Sequence, residues 1–282
     1  MILAERRSDL HESLVPVRDS GRVLGFVPTM GYLHDGHLSL VDRAREASDF
    51  LAISIFVNPL QFGPEEDLAR YPQNLERDRV LLEERGVDLI FSPTVEEMYP
   101  GGEPQVSVDP GPMAHRLCGP FRPGHFKGVL TVVARLFGLF RPQISVFGQK
   151  DFQQAVLIRR MVEDLEMGVE VLTAPLVREP DGLALSSRNV FLSEEERADA
   201  LGLRKALLQV QAAFDRGERS GRELRCLLAD QIRDYPLLDL QYGEIVHPLT
   251  LDSLDRIETG SVVAVAAYCG QTRLIDNHTM EG

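Results

Sequence analysis

Cysteine is scarce in this chain of 282 residues: three stand at Cys118, Cys226 and Cys269. Odd in number and far apart, they argue against a disulfide framework. Long apolar runs are missing as well. The most apolar helical stretch, "GVLTVVARLFGLF" at 128–140, is too short for a bilayer and contains Arg135. The opening "MILAERRSDL" puts charges where a secretory leader needs its apolar stretch. Positive charge is outweighed, with 30 Lys and Arg against 43 Asp and Glu and a net charge of −13 at pH 7. Binding a phosphate backbone needs clustered Lys and Arg, so this balance argues against a nucleic-acid partner. A few local cations in a cleft would still serve a small anionic substrate. Neither G-x-x-x-x-G-K-[ST] nor G-x-G-x-x-G occurs. No internal repeat or low-complexity run interrupts the chain. A cytoplasmic enzyme remains as the default class.

What is present is alternation. Short apolar runs, "RVLGFVP" (22–28), "FLAISIFV" (50–57), "VDLIFSP" (87–93), "QISVFG" (143–148) and "VEVLTAP" (169–175), read as buried strands. Amphipathic segments fall between them: 37–48, 74–86 closed by Gly86, 128–140 and 151–165. That is the βαβ pattern of a parallel sheet. Residues 94–124 are rich in Gly and Pro and weakly periodic, a long loop of the kind that is usually functional or disordered. The pattern changes near residue 176. A hairpin around Pro180–Gly182 leads to a charged helix opening at Ser193 with Glu196 at N3. "LQYGEIV", "SVVAVAAYC" and "TRLID" then suggest strands of a smaller α+β unit.

Chemistry concentrates where strands end. In "PTMGYLHDGHLSLVDRA" (28–44), His34 and His37 sit three apart at the start of a helix, with Gly31 and Gly36 allowing close backbone approach. A helix N-terminus after a parallel strand is a site for phosphate, and imidazoles there could grip triphosphate oxygens. The same pair could instead cap the helix, be solvated, or begin a zinc site, although no third ligand stands nearby in sequence. In "SVFGQKDFQQAVLIRR", Lys150 follows a strand and Gly148, and Asp151 opens a helix, either to meet a ribose or merely as its cap. Gln153 and Gln154 follow, with solvation the usual fate of such residues. "LSSRN" offers Ser186, Ser187 and Arg188, an ordinary polar hairpin by itself. "IFVNPLQFGPEEDLARYPQ" places Asn58 and Gln61 after the second strand, where amides suit a hydroxyl- and carboxylate-bearing substrate or simply make an Asn-Pro turn. His115, Cys118 and His125 are too irregularly spaced to read as a metal site.

Six elements stand in order: P-T-M-G-x-L-H-x-G-H at 28–37, F-V-N-P-x-Q-F at 56–62, R-Y-P at 70–72, R-P-G-H-F at 122–126, F-G-x-K-D at 147–151 and S-S-R-N at 186–189. Together they resemble the pantoate–β-alanine ligase family of the wider H-x-G-H nucleotidyltransferases, tightly over about residues 20–195. The resemblance implies a Rossmann-like α/β fold, a parallel sheet with helices on both faces, plus a smaller α+β C-terminal domain. Residues 1–176 would bind ATP and pantoate, and 177–282 would cover the active site. It implies activation of pantoate by ATP as a pantoyl adenylate, followed by attack of the β-alanine amine to give pantothenate and AMP. By position, His34, His37, Lys150, Ser187 and Arg188 would hold phosphates. Met30, Gly148, Asp151, Val177 and Ser186 would surround the nucleotide. Asn58, Gln61, Arg122 and Gln154 would shape the pantoate end, with Tyr71 near the phosphates. Mg²⁺ would arrive with the triphosphate, no protein metal site is expected, and the chain would be a homodimer. One departure is Leu185, where many relatives carry Met, an apolar exchange of mild effect. A regulatory nucleotide binder without turnover would have been favoured by loss of Lys150 or a histidine, and all three residues are present. Another nucleotidyltransferase sharing H-x-G-H is opposed by Gln61 and Gln154.

Overall fold

The computed structural model describes residues 1–63 and 68–282. Pro64 to Asp67, within the "PLQFGPEEDLARYPQ" stretch, lie outside the described residues. The chain forms two compact units, one of residues 1–111, 122–148 and 157–175, the other of 112–121, 149–156 and 176–282. The elements run β1 (Ile2–Ala4), α1 (Arg7–Asp19), β2 (Leu24–Thr29), α2 (Asp35–Glu46), β3 (Phe50–Ile55), α3 (Leu75–Glu83), β4 (Leu89–Phe91) and α4 (Val95–Met98). They continue with α5 (His125–Phe140), β5 (Ile144–Gly148), α6 (Phe152–Asp164), β6 (Glu170–Ala174), α7 (Glu194–Asp215), α8 (Gly221–Arg233), β7 (Leu238–Val246), β8 (Val262–Cys269) and β9 (Thr272–Thr279).

In the first unit six parallel strands form one sheet in the order β1-β4-β3-β2-β5-β6. Period-two alternation sends neighbouring side chains to opposite faces. Val27, Ile90 and Val146 pack with Leu38, Val41 and Ala44 of α2 and Leu82 of α3. Their neighbours Phe26, Phe91 and Phe147 point the other way, onto α5. Phe26 stacks on Phe140 at 4.1 Å between ring centroids, and Phe91 and Phe147 meet Phe140 and Phe137 edge-on at 5.9 and 6.5 Å. Helices therefore cover both faces, and each buried phenylalanine contributes about 2–3 kcal/mol. The apolar run 128–140 is explained by this burial. β1, α1 and α8 have no counterpart among the expected elements. β1 is three residues long, and α1 contains Pro16 in its interior.

The second unit holds an antiparallel sheet, β7-β8-β9. Val263, Val265 and Ala267 of β8 face Leu203, Leu207, Leu224 and Leu228 of the two long helices α7 and α8. Val262 and Ala264 face the opposite side, against Phe152, Val156 and Leu251. Burial on both faces is why β8 reads as an unbroken apolar run. α7 opens on the expected capping box: Glu196 N–H donates to Ser193 Oγ at 3.2 Å, and Ser193 N–H donates to Glu196 Oε2 at 2.8 Å. The expected hairpin is a single bridge, Arg178 to Ala184, turned by Gly182 with φ +99°.

Candidate active site

The chain order of the six-stranded sheet reverses between β2 and β5. β3 and β4 lie on one side of β2, whereas β5 and β6 lie on the other. Ligands of open parallel sheets bind beyond the carboxyl ends at such a reversal. The turn after β2 carries Met30 to His34, and α2 begins at Asp35 with His34 as its N-cap residue. His34 makes no side-chain cap bond to the helix, so capping is not its role. The rings of His34 and His37 lie together at a tilt of 37°, with centroids 4.1 Å apart. Spacing of three on the first helical turn produces that pairing.

The turn is braced from α3. Asp78, fully buried, accepts from the N–H groups of Tyr32 (2.7 Å) and Leu33 (2.9 Å). Arg77 donates to the carbonyl of Leu33 at 2.9 Å, and its guanidinium lies 5.3 Å from the Tyr32 ring centroid. Burial pushes the Asp78 carboxyl above its ordinary pKa, and the two backbone donors pull against that shift. Gly31 has φ +83°, and a Cβ there would lie 2.9 Å from Ile55 Cγ2 and 3.2 Å from Asp78 Oδ2. Glycine is needed here because the backbone is left-handed and both Ile55 and the Asp78 carboxylate approach closely. Sequence reading missed Arg77 and Asp78, because a charged pair within an amphipathic helix looks like a solvated face.

Two of the amides expected at the pantoate end, Asn58 and Gln61, lie in the same unit. Asn58 is 1 % exposed, and its hydrogen-bonding capacity is filled inside the protein. Nδ2 donates to Gln61 Oε1 (3.0 Å) and the Gly128 carbonyl (3.2 Å), while Oδ1 accepts from Tyr99 Oη (2.9 Å) and Leu60 N–H (3.3 Å). With two donors and two lone pairs engaged, Asn58 orients Gln61 within this turn. Burial pushes the Tyr99 phenol up to about 12, so it stays a donor. Gln61 Nε2 reaches Met30 Sδ at 3.2 Å, which joins this turn to the histidine turn. Arg122 Nη1 donates to His125 Nε2 at 2.9 Å, leaving Nδ1 as the protonated nitrogen that donates to the Gln61 carbonyl at 2.8 Å. His125, dismissed above with the irregular metal set, is thus the link between Arg122 and Gln61. Tyr71 is buried at 7 % exposure, edge-on to Phe62 with centroids 6.0 Å apart.

The remaining candidates belong to the second unit, except Gly148, which ends β5. Lys150 and Asp151 sit on a 3-10 turn (Gln149–Asp151), with Lys150 Nζ 3.5 Å from Asp151 Oδ1. Gln154 is half-buried on the first turn of α6. Its neighbour Gln153 has a structural task, accepting from Cys118 N–H (2.9 Å) and donating to the Arg116 carbonyl (2.7 Å). Ser186 Oγ accepts from Arg188 N–H at 3.3 Å, capping the short turn that carries Ser187 and Arg188. The Val177 carbonyl accepts from Leu185 N–H at 3.0 Å, so Leu185 serves this turn through its backbone. Asn189 ties the segment down by donating to Glu179 Oε1 and the Ala184 carbonyl at 2.6 and 3.0 Å. Cys118 Sγ lies 3.2 Å from Tyr242 Oη and 3.4 Å from Arg273 Nη2, in a buried polar cluster.

A six-stranded parallel sheet with paired imidazoles on the turn at its reversal point is the architecture of an α/β nucleotide-binding enzyme. The profile of the pantoate–β-alanine ligase family matches residues 3–279. The pantothenate synthetase of Thermoanaerobacter sp. (strain X514) is 52% identical over 277 residues, 98% of each chain. The pantothenate synthetase of Thermus thermophilus superposes with a TM-score of 0.94 at 49% identity, covering 100% of both chains. The pantoate–β-alanine ligase of Francisella tularensis, solved with beta-gamma ATP and β-alanine, gives a TM-score of 0.80 at 33% identity over 100% of this chain and 98% of that one. The chain belongs to the pantoate–β-alanine ligase family. It is an ATP-dependent ligase that joins pantoate to β-alanine through an amide bond.

Proposed function

We propose that His34, His37, Lys150, Ser187 and Arg188 hold the triphosphate while a carboxylate oxygen of pantoate attacks the α-phosphorus. The bond to pyrophosphate breaks, giving pantoyl adenylate. The neutral amine of β-alanine then attacks the acyl carbon, the C–O bond to AMP breaks, and the amine loses its proton. An anion attacking a phosphate anion is opposed by charge, so catalysis here is cationic neutralisation and positioning, with no nucleophilic side chain. Met30, Gly148, Asp151, Val177 and Ser186 surround the nucleoside in this reading. Asn58, Gln61, Arg122 and Gln154 shape the pantoate end, and Tyr71 lies toward the phosphates.

The observation that carries the proposal is the close His34–His37 pair, ring centroids 4.1 Å apart, braced on the turn after β2. Mg²⁺ belongs to this reading as the triphosphate's counter-ion. Among the described residues no group of three or more His, Cys, Asp or Glu is arranged for a metal. Mg²⁺ is commonly held by substrate phosphates and water, which asks for no such cage. No helix of the described residues is long and apolar enough to cross a membrane. A cytoplasmic location is supported by the three cysteines, all free thiols, as a reducing compartment keeps them. A homodimer completes the reading on family resemblance alone, because burial within the chain accounts for the apolar run in α5. The test is pantoate-dependent exchange of labelled pyrophosphate into ATP without β-alanine. Exchange supports the adenylate; ADP and phosphate as products would overturn it.

A further inference from the structure

β9 carries Asp276 and Asn277 near its end; the expected strand "TRLID" stops at Asp276, one residue short of Asn277. Asn277 is 5 % exposed, and its side chain is aimed at the backbone that carries Lys150. Nδ2 donates to the carbonyls of Gln149 (2.9 Å) and Lys150 (3.1 Å), and Oδ1 accepts from Gln149 Nε2 at 3.1 Å. One amide therefore makes three bonds to a single dipeptide. Asp276, 4 % exposed, fixes the base of the amide. Its carboxylate takes both Nη groups of Arg178 at 2.7 and 2.9 Å and also accepts from Asn277 N–H at 2.7 Å. Arg178 in turn donates to the Gly182 carbonyl at 3.1 Å, at the turn of the hairpin. Bidentate pairing of this kind gives geometric precision as well as energy.

We infer that Asn277 is a positioning residue for Lys150, setting the backbone from which the lysine acts on the triphosphate. The inference rests on the reading of Lys150 as a phosphate-holding residue. Lysine is a point charge on a flexible stem, so its placement depends on where its own backbone is held. The turn that bears it is three residues long. Errors of about 1 Å at a reacting group can cost about a hundredfold in rate. The Asn277 amide ties that turn to β9.

A double-mutant cycle tests this, read by pantoate-dependent pyrophosphate–ATP exchange in wild type, Asn277→Leu, Lys150→Ala and the double variant. Asn277→Leu keeps the branched shape, removes all three side-chain bonds and leaves the Asp276–Arg178 pair in place. Exchange should fall about tenfold or more in the wild-type background. In the Lys150→Ala background the same change should cost less than about threefold, because Asn277 acts through a group already gone. Equal losses in both backgrounds would overturn the inference and leave Asn277 a purely structural residue, as would unchanged exchange in Asn277→Leu. Should Asn277→Leu fail to fold, Gln149→Leu enters the same cycle, removing one bond from a half-buried position. Its expected fall is about threefold, again present only with Lys150 intact. If Lys150→Ala alone leaves exchange intact, the assignment of Lys150 fails and the inference falls with it, a result separate from additivity in the cycle.

Discussion

Lys150 and His37 are proposed for the same service, a hydrogen-bond donor where charge gathers on the phosphates. Truncating either to Ala should slow adenylation by about two orders of magnitude or more, roughly 3 kcal/mol for one transition-state donor. Transfer from supplied pantoyl adenylate to β-alanine should suffer less, and equal damage to both half-reactions would reassign them. Gln61 is different. Its carbonyl oxygen is held by Asn58 and its amide nitrogen rests on a thioether, a weak acceptor that a substrate oxygen readily replaces. Gln61→Leu should weaken pantoate binding about tenfold, within the roughly 1–3 kcal/mol of an unpaired buried group, and leave calorimetric ATP binding unchanged. Loss of ATP binding with pantoate binding intact would put Gln61 in the wrong pocket. Away from the site, burial and the Arg204 cation hold His278 below its ordinary pKa. The folded state then binds fewer protons than the unfolded state, so this contribution is present above about pH 6.5 and is lost as pH falls below it. His278→Gln should flatten the fall in stability between about pH 6.5 and 5, as followed by denaturant titration at each pH. An unchanged slope would remove His278 from the account.

At the scale of elements, α5 touches the turn proposed for the pantoate end. A Cβ on Gly128 would lie 2.1 Å from the Leu60 carbonyl oxygen, and the Gly128 carbonyl receives Asn58. Gly128→Ala should therefore push the 59–61 turn outward, costing about 1–3 kcal/mol of stability. It should also raise the pantoate KM while sparing ATP affinity, which steady-state kinetics would show; a stability loss with kinetics untouched would unlink the turn from the site. Buried strands and two-faced helices such as β2, β8 and α5 were legible in the sequence because their periodicity is set by burial. The capping box of α7 was legible because it is a local hydrogen-bond pattern. α1 was hidden by Pro16 and its charges, and β1 by its length of three residues. Strand order has no local signature, so the reversal beside β2 was invisible. The polar residues proposed for the site were picked out by type, spacing and the family resemblance. Their supports, Asp78, Arg77, His125 and Asn277, act on partners far away along the chain and show no such pattern.

At the scale of the whole molecule, each unit carries its own core and its own share of the proposed phosphate contacts. The proposed homodimer predicts sedimentation at twice the monomer mass of 31.5 kDa at micromolar concentration. A monomer there would remove that part of the reading. The central claim, that pantoate's own carboxylate attacks the α-phosphorus, is tested most directly by following that oxygen. With pantoate labelled with ¹⁸O in its carboxylate and turned over with ATP and β-alanine, one labelled oxygen should leave on AMP and the other should remain in the amide carbonyl of pantothenate. Label found in inorganic phosphate alongside ADP, or absent from AMP, would contradict the account.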